Sequence, residues 1–156
     1  MALRSNWSER PCPIARSMDF LGDPWTVLVL RELLYGVHRF EELKKNTEAT
    51  DRTLADRLEK MVREGLVRRE QYSGTARPRY EYHLTRAGEA AKPVLDALAV
   101  WGGEHTIEPE VERRFQLLCG SCGEEAKSTG VCPHCGASLP DVGTRWVRPR
   151  AAGMAG

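Results

Sequence analysis

At 156 residues, with 41% hydrophobic and 29% charged residues and a formal net charge of +1, the chain has the balance of one ordinary globular domain plus a small appendage, which excludes disorder and collagen-like repetition. No apolar run approaches the roughly 18 to 20 residues of a membrane span, and the opening Met-Ala-Leu-Arg-Ser-Asn-Trp lacks the apolar core of a signal peptide, so a cytoplasmic protein without membrane contact is expected. In that compartment the five cysteines read better as reduced thiols or metal ligands than as structural disulfides.

Residues 1–10 read as an N-terminal arm. From Cys12 to Leu21, Ile14, Met18 and Leu21 share one helical face, and Gly22 stops a short first helix. Asp23 caps a second helix with Pro24 at its first position, where the missing N–H would be unpaired anyway. Trp25, Leu28, Val29, Leu33 and Leu34 give this helix a wide apolar face, and Gly36 ends it, so it reads as the central core helix. Phe40 to Lys45 forms a short amphipathic helix anchored by Phe40 and Leu43, and Asn46 to Ala49 turns into a helix capped by Thr50.

In the Thr50 helix, Leu54, Leu58, Met61 and Val62 recur at i, i+4, i+7 and i+8, so one face is apolar while Arg52, Asp56, Arg57 and Lys60 lie opposite. Gly65 stops it, and Leu66 to Tyr72 and Arg79 to Leu84 read as two strands around the turn-forming Ser73 to Pro78. Helix, turn, helix and basic hairpin in this order make a winged helix-turn-helix. In such a pair the second helix enters the major groove with its first turns, which nominates Thr50, Asp51, Arg52, Thr53, Asp56, Arg57 and Lys60 for DNA contact. Arg52 and Arg57 suit guanine edges and phosphates, and Thr53 a phosphate or a thymine methyl. Arg77 and Arg79, beside a proline-stiffened loop tip, suit the minor groove or its phosphates.

Between Arg52 and Arg86, nine Lys or Arg stand against five Asp or Glu, a local surplus of four that the near-neutral whole conceals. Such a patch is what phosphate neutralisation uses. Two readings compete: a merely solvated charged face, and internal pairing of Arg57 and Arg79 with Glu81 or Asp56.

On the return strand, Tyr80, Tyr82 and Leu84 form an apolar face, alternating with a wet face of Arg79, Glu81 and His83. Thr85 caps a final helix through Trp101 with a stripe of Ala87, Ala91, Val94, Leu95, Leu98 and Trp101, which Pro93 must kink or split. The stripe exceeds what one small domain covers, and pairing with the same helix of a second subunit is the expected use. Beyond Gly102 the periodicity stops. The expected organisation is therefore mainly α with a small β-hairpin wing: a winged helix-turn-helix domain over 11–104, a linker over 105–118, a zinc-ribbon-like module over 119–146 and a flexible tail over 147–156.

Over roughly Pro11 to Glu104 the chain resembles HxlR-type transcriptional regulators. The resemblance rests on Cys12-Pro13, Trp25-Thr26, Leu30-Arg31-Glu32-Leu33, Arg39-Phe40 with Glu42-Leu43, Leu54-Ala55-Asp56-Arg57-Leu58, Gly65-Leu66-Val67-Arg68-Arg69, Tyr82-His83-Leu84-Thr85 with Gly88, and Trp101-Gly102. It implies an obligate homodimer held by the first and last helices, acting on double-stranded DNA at a roughly palindromic operator; proteins of this kind repress or activate neighbouring genes, and repression is the sign expected here. The two recognition helices would then lie about one DNA turn apart, roughly 34 to 36 Å. Ala49 departs from the family pattern, which favours a larger aliphatic residue there and so predicts a looser turn in this chain. Some relatives sense electrophiles or oxidants through a cysteine matching Cys12, which makes it a candidate redox sensor and leaves room for a small-molecule or redox effector. At a helix N-terminus its thiol would be activated; the competing reading is a small apolar residue buried at a dimer contact.

Cys119-Gly-Ser-Cys122-Gly and Cys132-Pro-His-Cys135-Gly are two CxxCG units. Thiolates with two residues between them bend into a knuckle holding one edge of a tetrahedron, and two knuckles close a site for structural Zn2+. Four thiolates leave no coordination position for water, so the metal would replace a core that the short segment cannot build. Redox disulfides and free thiols are the competing readings, and His134 reads as exposed loop rather than ligand. No phosphate loop or nucleophile motif supports an enzyme. An interaction module using winged-helix and zinc-ribbon surfaces without DNA is the alternative class, against which the basic surplus on helix and wing speaks.

Overall fold

The computed structural model describes residues 6–73, 78–106 and 115–148. Arg77, residues 107–114 of the expected linker over 105–118 and residues 149–156 of the expected tail over 147–156 lie outside the described residues. The chain divides into two compact units, Met1–Ala91 and Lys92–Gly156.

In the first unit, α1 (Pro13–Leu21), α2 (Pro24–Leu34), α3 (Phe40–Thr47) and α4 (Asp51–Arg63) precede an antiparallel hairpin of β1 (Val67–Ser73) and β2 (Arg79–Leu84), followed by the short α5 (Arg86–Glu89). The caps follow the sequence. The Asp23 carboxylate accepts the Thr26 amide at 3.1 Å, and Thr50 Oγ1 accepts the Thr53 amide at 3.2 Å. Helix α3 runs two residues further than expected and stops at Glu48, the one non-glycine residue in left-handed backbone among those described, with φ 55°. The turn of the motif is therefore Glu48 and Ala49, and Ala49 is buried.

Helix α2 is central, packing on α1, α3, α4 and β2. Its Val29, Leu30 and Leu33 join Leu43 of α3, Leu54, Leu58 and Met61 of α4 and Val67 of β1 among the buried residues. Each such side chain contributes roughly 1.5–3 kcal/mol by leaving water. Val62, expected on the buried face of α4, lies at its exposed margin: eight residues on, a helix has turned about 80° from Leu54, enough to carry the last apolar position off the core. Helix α1 buries no residue, and Ile14 is 73% exposed.

The hairpin pairs Val67 with Leu84, Arg69 with Tyr82 and Gln71 with Tyr80, with an irregularity between Gln71 and Ser73. Glu81 and His83, expected on a wet face, are half-buried. The reason is a third segment on that edge: Arg39 bridges to Glu81, and the Tyr82 amide donates to the His38 carbonyl at 2.9 Å.

The second unit begins with α6 (Lys92–His105) and continues through β3 (Gln116–Cys119), α7 (Leu139–Val142) and β4 (Thr144–Val147). The single helix expected from Thr85 to Trp101 is thus two. Thr85 caps only α5, accepting the Gly88 amide at 3.2 Å, and Pro93 sits in the first turn of α6, where its missing N–H costs nothing. Strands β3 and β4 pair antiparallel, Gln116 opposite Val147 and Cys119 opposite Thr144. The core here is small: Leu117, Cys119, Ala126, Cys132 and Leu139, with Val100, Phe115 and Trp146 packed against it.

Candidate nucleic-acid interface and metal centre

The start of α4 is open on one side. Thr50, Asp51, Arg52, Ala55, Asp56 and Glu59 are exposed and Thr53 is half-buried, while Leu54, Leu58 and Met61 are fully enclosed on the other side. Thr50 and Thr53 are tied to each other, hydroxyl to hydroxyl, at 2.9 Å. Asp51 pairs with Lys44 of α3 at 2.5 Å, joining the two helices of the motif at their turn.

Arg57 and Lys60 point elsewhere. Arg57 Nε lies 2.8 Å from Asp23 Oδ1 at the head of α2, with its N–H poorly aligned, so the contact is a charge pair rather than a hydrogen bond. Lys60 Nζ donates to the Asp19 carbonyl at the end of α1 at 2.6 Å. The Asp19 carboxylate in turn accepts the Trp7 amide at 3.0 Å. Two cations expected on the outer face thus fasten the flank of α4 to the α1–α2 corner. The partner of Arg57 is neither Asp56 nor Glu81.

The hairpin carries an aromatic and basic cluster that sequence reasoning missed. The Arg39 guanidinium lies 4.9 Å from the centre of the Tyr72 ring and 3.2 Å from Glu81 Oε1, and Arg69 stacks on Tyr80 at 4.4 Å. Arg68 pairs with Glu70. The His38 and His83 rings stack at 4.3 Å, and His38 Nδ1 meets the Tyr82 carbonyl at 2.9 Å. Burial pushes the Tyr82 phenol above its ordinary range. Arg79 is exposed at the start of β2. Cys12 is exposed at the N-cap of α1, with no capping hydrogen bond from its side chain.

The four cysteines of the second unit converge. All four Sγ atoms lie within 4.8 Å of one another; Cys119 and Cys135 are 3.8 Å apart, and Cys122 and Cys132 3.7 Å. A tetrahedral metal with bonds of about 2.3 Å to sulfur needs edges of about 3.8 Å, so the spacing fits. The knuckles have the same build. The Gly123 amide donates to the Cys119 carbonyl and the Gly136 amide to the Cys132 carbonyl, both at 3.0 Å, with φ of 77° and 73° that only glycine adopts cheaply.

Amides of Cys135 and His134 draw the Cys132 thiol down to about 6. The Glu124 amide favours the Cys122 thiolate, but desolvation and the three neighbouring thiols outweigh it and push that group up to about 12. Four thiolates this close repel one another, and a divalent cation at their centre removes the conflict. The arrangement can therefore hold a metal ion in a small metal-binding module. His134 is exposed on the second knuckle. Among the described residues no helix is long and apolar enough to cross a membrane.

The chain is similar to the HTH-type transcriptional regulator Rv3095 of Mycobacterium tuberculosis, 36% identical over 126 residues that cover 81% of this chain and 78% of the relative. That length exceeds everything before the first cysteine pair, so the similarity reaches into the second unit. A crystal structure described as that of a transcription factor, PA1607, superimposes with a TM-score of 0.71 at 28% identity, covering 86% of this chain and 93% of the other. The redox regulator HypR in its oxidised form superimposes with a TM-score of 0.56, also at 28% identity, covering 62% of this chain and all of HypR. The relatives are regulators rather than enzymes. With the model of the HxlR-like helix-turn-helix family matching residues 20–110, the chain belongs to that family and is a transcriptional regulator of winged-helix type.

Proposed function

We propose that this regulator is a cytoplasmic homodimer that represses its targets by binding a roughly palindromic DNA operator, with the first turns of α4 in the major groove. The observation that carries this reading is the two-sidedness of α4. Leu54, Leu58 and Met61 lock one flank into the core, while Thr50, Asp51, Arg52 and Asp56 stand exposed on the other. Arg52 reads base edges and Thr53 supports the capped first turn. Arg79, and Arg77 two positions before it in the sequence, meet phosphates or the minor groove. Arg57 and Lys60 hold α4 at its seat and reach phosphates only by leaving Asp23 and Asp19.

Subunit pairing uses the open apolar faces of α1, with Ile14 and Met18, and of α6, with Val94, Leu98 and Trp101. Exposed apolar side chains grouped along a helix are the kind of surface that subunit pairing covers. The four-cysteine site holds structural Zn2+, which Cys119, Cys122, Cys132 and Cys135 coordinate as thiolates. Cys12, exposed at the head of α1, is the candidate sensor for an oxidant or electrophile, in keeping with the redox regulator among the structural neighbours. Maleimide or quinone titration of the zinc-loaded protein tests that role: operator affinity indifferent to the reagent removes it.

Selection of bound duplexes from a random pool with the zinc-loaded chain tests the whole reading. A two-fold symmetric motif with half-sites about one helical turn apart supports it. Recovery of no preferred sequence, with binding indifferent to salt, contradicts it.

A further inference from the structure

We propose that metal occupancy of the four-cysteine site controls the pairing face of α6 through the buried carboxylate of Asp96. The inference rests on the reading that α6 pairs subunits and deepens it by naming what regulates that face.

Asp96 lies on α6 and is 7% exposed. A carboxylate this enclosed is tolerated only when its oxygens are satisfied, and here they are. Lys92, one turn earlier on α6, donates to both oxygens at 3.2 and 3.0 Å. The remaining donors come from β4: Thr144 Oγ1 at 2.7 Å and the Trp146 indole N–H at 2.5 Å. Lys92 also reaches Thr144 Oγ1 and lies 5.1 Å from the centre of the Trp146 ring.

Thr144 stands opposite Cys119 in the β3–β4 ladder, so a residue gripping α6 is the direct cross-strand neighbour of a metal ligand. Next to it, the Gly120 amide, inside the first knuckle, donates to the Gly143 carbonyl at 3.0 Å. Val100 of α6 packs on the small core that Cys119 and Cys132 help to form. With so little apolar material in that core, the metal is what holds the first knuckle, and with it β4, in register.

On metal loss, Thr144 and Trp146 leave the carboxylate. Asp96 then keeps Lys92 alone among these partners, and α6, no longer gripped by β4, is free to shift. The same helix carries Val94, Leu98 and Trp101 on its open side, so its shift breaks the complementarity that pairing needs. Sequence alone hid this link, because Asp96 reads as one charged position in an apolar stripe.

The test uses the full-length chain, with zinc content measured and dimer dissociation followed by sedimentation. In the parent protein, stripping zinc with a chelator should weaken pairing at least fivefold or so, the lower end of ordinary site-to-site coupling. In Asp96→Asn, and in Thr144→Val, which keeps the backbone ladder intact, pairing should already be weak with zinc bound, and stripping should change it little. Coupling is reciprocal, so zinc affinity per site, measured by chelator competition above and below the dimer constant, should differ by the square root of that factor, since the dimer holds two sites; this reading needs no variant. A parent dimer whose stability ignores zinc overturns the coupling while leaving the pairing reading intact. Variants that respond to stripping as fully as the parent overturn the role of Asp96. A parent chain that is monomeric at every concentration overturns both readings.

Discussion

Arg57 and Asp23 face each other across 2.8 Å, the arginine on α4 and the aspartate at the head of α2. The same carboxylate caps α2 through the Thr26 amide. One side chain therefore starts the central helix and fixes the flank of the helix proposed to meet DNA.

This dual use separates two substitutions. Asp23→Ala removes cap and charge partner together and should cost about 1–3 kcal/mol, whereas Asp23→Asn keeps a capping oxygen and should cost roughly 1 kcal/mol less. Urea unfolding of the metal-loaded protein, combined with Arg57→Ala in a double-mutant cycle, checks it. A coupling energy near zero between positions 23 and 57 would show that the pair contributes nothing.

The two margins of α4 should respond unequally. Leu58 is fully buried, so Leu58→Ala should lose about 2–5 kcal/mol through lost burial and the cavity left behind. Val62→Ala, at the exposed margin, should stay within roughly 1 kcal/mol. Equal losses in thermal or urea unfolding would contradict the packing described.

The contrast between Leu58 and Val62 marks where sequence reading stops. Periodicity, caps and breakers are local, so Asp23, Thr50, Thr85 and Pro93 announced their elements, and the spacing of Cys119, Cys122, Cys132 and Cys135 announced the cluster. The reach of a long side chain is not local. Nothing near Arg57 or Lys60 in the sequence indicates Asp23 or the Asp19 carbonyl, and nothing near Arg39 indicates Tyr72. The edge that half-buries Glu81 and His83 exists only once the chain before α3 folds back beside β2. Likewise Pro93 predicted a break, but the grouping of α6 with the metal module depends on Asp96 meeting Thr144 and Trp146.

The wing should act on affinity rather than on sequence choice. Arg79→Ala should weaken binding to all duplexes by a similar factor and lower the slope of log affinity against log salt by about 1, the loss of one phosphate contact. Fluorescence anisotropy over a salt series reads both quantities. An unchanged slope would place Arg79 off the DNA.

Metal removal should dismantle the β3–β4 lobe around the four cysteines selectively. One zinc per chain is expected, and substitution by Co2+ should give the visible spectrum of a tetrahedral thiolate site. Cys119→Ser or Cys132→Ser should lose stoichiometric metal and the β3–β4 signals, while the helical signal of residues up to Ala91 persists. Lowering the pH should release the metal as protons compete for the thiolates. Full metal content in both variants would exclude the four-cysteine site.

Arg52 provides the most direct test of the central claim, that the outer flank of α4 meets bases because its inner flank is locked in the core. The measurement is the affinity of Arg52→Ala, folded and zinc-loaded, for the selected operator and for duplexes changed one base pair at a time. The account predicts about 1–3 kcal/mol of lost affinity for the operator, with discrimination abolished at one symmetric position in each half-site. Unchanged affinity and unchanged discrimination would contradict it.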